Sequence, residues 1–489
     1  LPDEQKIRGI RAIRGWSGNT TPSKLFSSDA LISEDASRRS ESMPQATSLP
    51  KATKAKAAAP APKAPVSVIT CDMEGRIETF NDGAQQIFGY AAGEVVGHKR
   101  VSLFSPGEVV LGHVPRWLKE ARTKGEFETD TVFVRKDGTR FAAHVRITPT
   151  FHGGKSSGEQ IGYCGQTRVL EGVDPATIMP KTTVGTRVFK GVVIGRLPFL
   201  TATIVPILVA AAFVAQQKLV TPFPWLHFAL VLAGGIALHL AANIFNDYFD
   251  WRAGTDQANN DYFLPFTGGS RAIELGIISE RGTFIAGTVS LAVALAIGVA
   301  LTFMGRPLVL AFGAAGAFMG FFYTAPPIRL AARRGLGELS SFLNFGPLMT
   351  AGAVYGISKH AGWDGFLLGI PIGLLTLAIL WINEFPDAPS DKATGKTHLV
   401  ATLGTKKARW GYVAIVAAAF AAAIVEATTT SILPKGALIV LLALPLAAYA
   451  ATIAVRHYAD RALVKGCATT IATHFVAGCL LAAGLAWLG

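Results

Sequence analysis

Hydrophobic and polar positions are arranged differently in three parts of this chain. Over residues 1–65 the apolar positions are scattered without a period, and the stretch ends in a Lys/Ala/Pro run at 49–65. Such a segment cannot bury a core and reads as a disordered basic tail. From 66 to 172 short alternating runs take over. Residues 66–72 and 76–81 alternate as strands, 82–90 have helical spacing, and 127–151 read as two strands joined at Lys136-Asp137-Gly138. Residues 159–169 supply a last strand. This is the pattern of a small α+β domain, with 173–190 as linker. From 191 to 489 the apolar positions run on continuously. Nine stretches are long enough to cross a hydrocarbon core, near 193–216, 224–247, 284–303, 307–325, 339–357, 365–384, 410–427, 435–455 and 468–488. The expected fold class is therefore multidomain: an α+β domain followed by an all-α polytopic membrane domain of nine transmembrane helices.

Composition and charge sharpen this picture. Of 489 residues, 50% are hydrophobic and 16% charged, where soluble domains carry about 25% charged residues. That excludes a wholly soluble enzyme and a chain disordered throughout. The 46 Lys+Arg exceed the 33 Asp+Glu by 13. In so apolar a chain the excess points to an anionic membrane surface, not to nucleic acid. Cys71, Cys164, Cys467 and Cys479 form no CxxC pair and read as small apolar fillers. The loops after the second, fourth, sixth and eighth stretches carry three, three, five and three Lys or Arg. The other loops carry one each, at Lys218, Arg306, Lys359 and Lys435. The basic loops are expected on the cytoplasmic side, together with the α+β domain, of a prokaryotic plasma membrane. The chain opens on Leu1 with its first methionine at Met43, which points to a truncated or misassigned start.

Acidic residues are sparse in the apolar part but cluster twice. Asn243, Asn246, Asp247 and Asp250 fall on one helical face at the end of the second stretch, and Asp256 follows in the loop. Asn383, Asp387 and Asp391, spaced by four, do the same at the end of the sixth stretch, where Pro386 and Pro389 predict an interrupted or restarted helix. A solvated helix end explains one carboxylate well and two such clusters badly. Carboxylates crowded at a membrane edge repel one another unless a cation sits between them. Asp and Asn oxygens are hard ligands suited to Mg²⁺ bridging phosphate oxygens. The expectation is a Mg²⁺–diphosphate site opening on an apolar cavity.

Two resemblances attach to these patterns. Residues 66–172 resemble a PAS domain, through Gly75-Arg76-Ile77, Asn81, Phe88-Gly89-Tyr90, Glu94-Val95-x-Gly97, Arg135-Lys136-Asp137-Gly138-Thr139 and Gly162-Tyr163. The membrane part resembles the UbiA superfamily of prenyltransferases. Its first motif, Asn246-Asp247-Tyr248-x-Asp250-x-x-x-Gly254-x-Asp256, looks most like the branch acting on 1,4-dihydroxy-2-naphthoate in menaquinone synthesis. The second, Asn383-x-x-x-Asp387-x-x-x-Asp391-x-x-x-Gly395-Lys396, is similar to the second aspartate-rich motif of that family. Many members carry Asp where this chain has Asn383, with Glu384 beside it. Arg196-Leu197-Pro198, Gly268-Gly269-Ser270-Arg271, Tyr323-Thr324-Ala325-Pro326-Pro327, Gly335-Leu336-Gly337-Glu338 and Phe345-Gly346-Pro347 extend the likeness.

The resemblance implies a metal-dependent transferase whose partners are a polyprenyl diphosphate, an aromatic acceptor of dihydroxynaphthoate type and the lipid bilayer. It implies Mg²⁺ held by Asp247, Asp250, Asp387 and Asp391, which are also the expected catalytic residues, with Asn246 and Asn383 as further metal ligands. Asn243, Arg252, Asp256, Arg271, Tyr323 and Lys396 are the candidate substrate contacts, the cations serving the phosphate oxygens. Glu338 is expected either to orient the acceptor or to cap a helix, and His239 and His474 to be helix-packing groups. Other acceptors stay open: another quinone precursor, a chlorophyll-like ring or a glycerol-lipid alcohol. So does a non-catalytic sensor that binds quinone or isoprenoid. The PAS-like domain is expected to take an unknown small ligand or to dimerise. It lacks the flavin-reactive cysteine motif of light-sensing relatives, and a PAS fold alone does not fix a ligand.

Overall fold

The structure is a computed structural model that describes residues 64–154, 158–179, 181, 183–259 and 268–488. The tail expected over 1–65 lies outside the described residues but for its last two positions.

The α+β domain is built on five antiparallel strands: β1 (Ser67–Asp72), β2 (Ile77–Phe80), β3 (Phe127–Val134), β4 (Arg140–Phe151) and β5 (Gln160–Val169). Their spatial order is β2-β1-β5-β4-β3. The turn between β3 and β4 closes as its sequence requires. Gly138 sits at φ 84°, and Asp137 Oδ1 accepts the Thr139 backbone N–H at 2.8 Å. The pairing Phe133↔Phe141 then stacks two rings on the inner face, against Phe88 and Phe104. Asn81 ends β2 and starts the helix Asp82–Phe88. Its Oδ1 accepts from Ala84 N–H at 2.8 Å and from Val68 N–H at 2.9 Å, so one side chain caps the helix and ties it to β1. A cavity of about 240 Å³ remains inside the domain, lined by Ile69, Phe88, Phe104, Trp117, Phe133 and Tyr163 among others. The expected linker region carries two helices, Pro175–Ile178 and Val184–Ile194, the second capped by the Thr183 hydroxyl.

Seven helices among the described residues are long and apolar enough to cross a membrane: Leu197–Gln216, Trp225–Arg252, Glu280–Phe303, Trp363–Ala393, Thr405–Thr429, Lys435–Arg456 and Leu463–Trp487. Two other structures stand where further spans are expected. One is the shorter apolar helix Leu308–Phe321. The other is the helical run 336–358, in which a π-helical turn, Asn344–Leu348, carries Pro347 between Leu336–Leu343 and Met349–Ser358. Seven is thus the number that length and apolarity support in the structure.

The interruption expected at Pro386 and Pro389 does not occur. The helix Ile370–Ala393 runs through both prolines. A proline inside a membrane helix is tolerated where neighbouring groups satisfy the backbone it frees, and this end of the helix is packed among polar side chains. The same helix is brought close to the run 336–358 by glycine. A Cβ on Gly346 would lie 2.5 Å from the Cα of Gly373, so neither position accommodates a side chain.

Candidate active site

The two clusters meet at one end of the helical bundle. Asn243, Asn246, Asp247 and Asp250 occupy the last turns of the helix Trp225–Arg252. Asn383, Asp387 and Asp391 occupy the last turns of Ile370–Ala393. Between them lies a cavity of about 210 Å³. Asn243, Asn246 and Asp250 line one wall, Asn383, Asp387 and Asp391 the other, with Tyr323 and Lys396 at its margin. Lys396 Nζ lies 2.8 Å from Asp250 Oδ2 and 4.0 Å from Asp391 Oδ1, so one ammonium bridges the motifs. Burial alone would lower this ammonium, but Asp250 and Asp391 outweigh it and hold Lys396 above its ordinary value.

Asn259, Gly268 and Ser270 lie over the carboxylates. Asn259 Nδ2 donates to Asp387 Oδ1 at 2.7 Å, and Gly268 N–H donates to Asp387 Oδ2 at 3.1 Å. Ser270 N–H donates to Asp247 Oδ1 at 3.2 Å. Gly269 stands between Asp247 and Asp256. A Cβ there would come within 3.0 Å of Asp247 Oδ1 and 3.2 Å of Asp256 Oδ1, and its φ of +74° strains any side chain further. Burial, with Asp250 as the next cause, holds the Asp256 carboxyl well above the usual range.

Behind the second motif lies a histidine held by carboxylates. His398 Nδ1 is 3.3 Å from Glu384 Oε2, and its Nε2 is 3.2 Å from Asp391 Oδ2. Burial would lower this imidazole, but those two carboxylates push it up to about 10. Glu338 Oε1 accepts the Leu399 N–H at 2.5 Å, so Glu338 caps the start of the helix Leu399–Leu403 rather than of its own.

The donor set suits a hard cation. Among the described residues Asn246 Oδ1 and Asn383 Oδ1 are shielded from solvent and have no hydrogen-bond partner, although buried polar atoms are rarely left so. Asp250, Asp387 and Asp391 line the same cavity, and carboxylate and amide oxygens are the donor type Mg²⁺ takes.

A family model described as the UbiA prenyltransferase family matches residues 203–476, more than half of the chain. The chain belongs to the UbiA prenyltransferase family. A PAS domain model matches residues 65–163, so the α+β domain is a PAS domain fused ahead of the prenyltransferase. Among curated relatives, a 1,4-dihydroxy-2-naphthoate octaprenyltransferase of Mycobacterium tuberculosis is 30% identical over 203 residues, 40% of this chain and 66% of the relative. A 2-carboxy-1,4-naphthoquinone phytyltransferase of Synechocystis is 26% identical over 318 residues, 65% of this chain and 99% of the relative. Among solved structures, a UbiA homolog from Archaeoglobus fulgidus bound to GPP and Mg²⁺ is 13% identical, with a TM-score of 0.40, over 60% of this chain and 99% of that one.

Not every expected residue reaches the prenyltransferase cavity. Arg252 turns away from it, towards the Tyr248 hydroxyl at 3.2 Å and Glu280 at 3.6 Å. Arg271 is buried as a brace. It donates to the Asp256 carbonyl oxygen, to the Asn259 carbonyl oxygen at 2.9 Å and to Glu274 at 2.9 Å. Asp247 and Asp256 sit behind Gly269, not on the cavity wall. His474 meets Thr376 at 3.1 Å in a helix–helix contact. His239 meets Thr203 at 2.6 Å and also lines the cavity. Two charged lining groups, Arg196 and His398, have no role in the sequence reading of the site, and Glu384 is named there only as the neighbour of Asn383. Arg196 lies far from both motifs, in a left-handed conformation (φ 49°) just before Leu197-Pro198. Glu384 and His398 also line the wall. His398 follows Asp391 by seven positions, a helical spacing, but a loop intervenes.

Proposed function

We propose that this chain is a Mg²⁺-dependent membrane prenyltransferase that transfers a polyprenyl group from its diphosphate to an aromatic acceptor of the dihydroxynaphthoate class, in menaquinone synthesis. The observation that carries this reading is the pair of Asp/Asn helix ends facing one cavity and bridged by Lys396. The names of the naphthoate and naphthoquinone relatives support the acceptor class.

In this reading Asp250, Asp387 and Asp391, with Asn246 and Asn383, would hold the metal from the cavity wall, and Asp247, behind Gly269, would back them. Bound Mg²⁺ supplies charge to the diphosphate oxygens and makes diphosphate a better leaving group. Lys396 and Arg196 donate to the same oxygens from the cavity wall. The allylic C–O bond breaks with its electron pair leaving on diphosphate. The acceptor's electron-rich ring carbon supplies the pair for the new C–C bond, and the ring loses a proton. Tyr323 presents an aromatic face to the allylic carbon as positive charge develops.

A second cavity, of about 390 Å³, suits the isoprenoid tail. Leu238, Leu291, Ile297, Leu310 and Phe312 line it, with Gly234, Gly298, Gly313 and Gly352 leaving the space between them. Asn344 lines both cavities, so head and tail sites adjoin. Apolar walls there exclude water that would otherwise quench the developing cation.

The Lys/Arg-rich loops support a cytoplasmic side for the site and the PAS domain. The domain limits 66–172 and 191–489 and a nine-helix membrane domain belong to this proposal, with Leu308–Phe321 and the run 336–358 as the two spans beyond the seven. The apolar PAS cavity suits a small apolar ligand. The experiment is prenyl transfer by the protein in lipid nanodiscs. Product should form from 1,4-dihydroxy-2-naphthoate, in preference to 4-hydroxybenzoate or homogentisate, and should vanish with EDTA. Diphosphate release without a prenylated naphthoate would reject the acceptor.

A further inference from the structure

The segment that covers the carboxylates touches more than the prenyltransferase. Asn259 and residues 268–271 hold Asp387 and Asp247 from above. Arg271 ties this segment together by donating to the carbonyl oxygens of Asp256 and Asn259. Just beyond, Ala272, Leu275 and Ile277 pack as a buried cluster on Val193 and Ile194 of the helix Val184–Ile194.

The PAS domain closes the other side of that cluster. Gly107 opens the helix Gly107–Gly112 and lies so near the segment that a Cβ would come 2.4 Å from the Leu275 carbonyl oxygen and 2.5 Å from Ile277 Cγ1. Next to it, Glu108 pairs with Lys190 at 2.9 Å, which fixes the same PAS helix to Val184–Ile194. Lys99 Nζ reaches the carbonyl oxygen of Gln257, the residue after Asp256, at 3.5 Å. Between PAS residues 98–103 and Asn259, Glu274 and Leu275 only about 10 Å³ stays open, at the lower limit for one water. A third tie, Glu74 with Arg461, joins the domain to the loop before the last helix.

We infer that the PAS domain is a working part of the diphosphate site: residues 99–108 brace the covering segment, and through Asn259 and Gly268 they position Asp387. Gly107 and Glu108 are positioning residues. They touch no substrate, and their effect reaches the chemistry through the order of the segment. An unbraced segment leaves Asp387 without two donors that fix its carboxylate plane, and the diphosphate then binds to a site that must first be ordered. Donor binding is the step most affected. The inference rests on the proposed diphosphate site.

The test uses the full chain in nanodiscs, with Gly107→Ala, Glu108→Lys, Lys190→Glu and the double variant Glu108→Lys/Lys190→Glu. Alanine is a better helix former than glycine, so Gly107→Ala leaves the PAS fold intact while forcing the interface apart. Two readouts are taken: hydrogen exchange of the amides at 268–277, and KM and kcat for the prenyl diphosphate. Exchange should quicken at least five-fold in each single variant, and the donor KM should rise at least five-fold while the acceptor KM holds. The charge-swapped double variant should regain most of both. Unchanged exchange in Gly107→Ala, or faster exchange with an unchanged donor KM, overturns the inference. A wild-type protein without any transfer would reject the proposed function instead, and the exchange data would then decide the bracing by themselves.

Discussion

Lys396 Nζ sits 2.8 Å from Asp250 Oδ2, across 146 positions of sequence. This contact joins the two aspartate motifs through a single buried cation, and it marks the place where positive charge is required between them. Replacing Lys396 with methionine should raise the donor KM about ten-fold, since a charge-assisted contact to a phosphate is among the strongest single hydrogen bonds. Steady-state kinetics with a short prenyl diphosphate measures it. An unchanged KM would remove Lys396 from the phosphate site.

The aspartates themselves carry more. Asp387→Asn and Asp391→Asn should each lower kcat by roughly 10²–10³-fold, the scale of losing one electrostatic group at a reacting centre. The variants should keep wild-type thermal stability in detergent, because both side chains lie at a helix end and not in the apolar core. Loss of folded protein in step with activity would make these residues structural.

Arg271 should behave differently from the cations on the cavity wall. Its guanidinium is buried, and its partners include Glu274 and two backbone carbonyls. Removing one member of such a buried set costs about 3–5 kcal/mol because it strands the rest. Arg271→Ala should therefore lower the unfolding temperature and the yield of folded protein. A stable variant that is merely weak in donor binding would return Arg271 to the phosphate contacts.

Tail length should follow the apolar cavity. Gly313 lines it, and a Cβ there meets nothing within 4 Å. Gly313→Phe should fill that space, so long polyprenyl diphosphates lose at least ten-fold in kcat/KM while a ten-carbon donor is unaffected. Equal losses at every chain length would place the tail elsewhere.

In the PAS domain, Cys71 faces the apolar cavity and burial pushes its thiol up to about 12. A thiol so raised stays protonated across the physiological range, and the thiolate is the reactive form. Cys71 should resist iodoacetamide at pH 8 in the folded protein and react after urea unfolding, as mass spectrometry of the labelled peptide reports. Rapid labelling of the folded domain would mean that the cavity is open.

Much of this was legible before the structure. Asn243, Asn246, Asp247 and Asp250 declare a shared face because a helix repeats every 3.6 residues, and Asp387 and Asp391 do the same. The PAS strands follow from alternation bounded by Gly75 and Gly138. What escaped depends on tertiary contact. Pro386 and Pro389 forbid a helix only when no neighbour satisfies the freed backbone, and neighbours are invisible in sequence. Arg252 and Arg271 look alike as loop cations, yet one faces Glu280 and the other is buried against Asp256, Asn259 and Glu274. Arg196 reaches the site from a left-handed turn 50 residues before Asn246, which no spacing rule connects. The bracing by Gly107 was hidden for the same reason: only the fold brings it to Leu275.

The central claim is a metal-dependent diphosphate clamp between the two motifs. Calorimetric binding of a non-reactive prenyl thiodiphosphate to the protein in nanodiscs tests it most directly, with and without Mg²⁺, for wild type and for Asp250→Asn/Asp391→Asn. Tight binding that needs Mg²⁺ and is lost in the double variant is the predicted result. Equal binding with EDTA, or full binding by the double variant, would contradict the account.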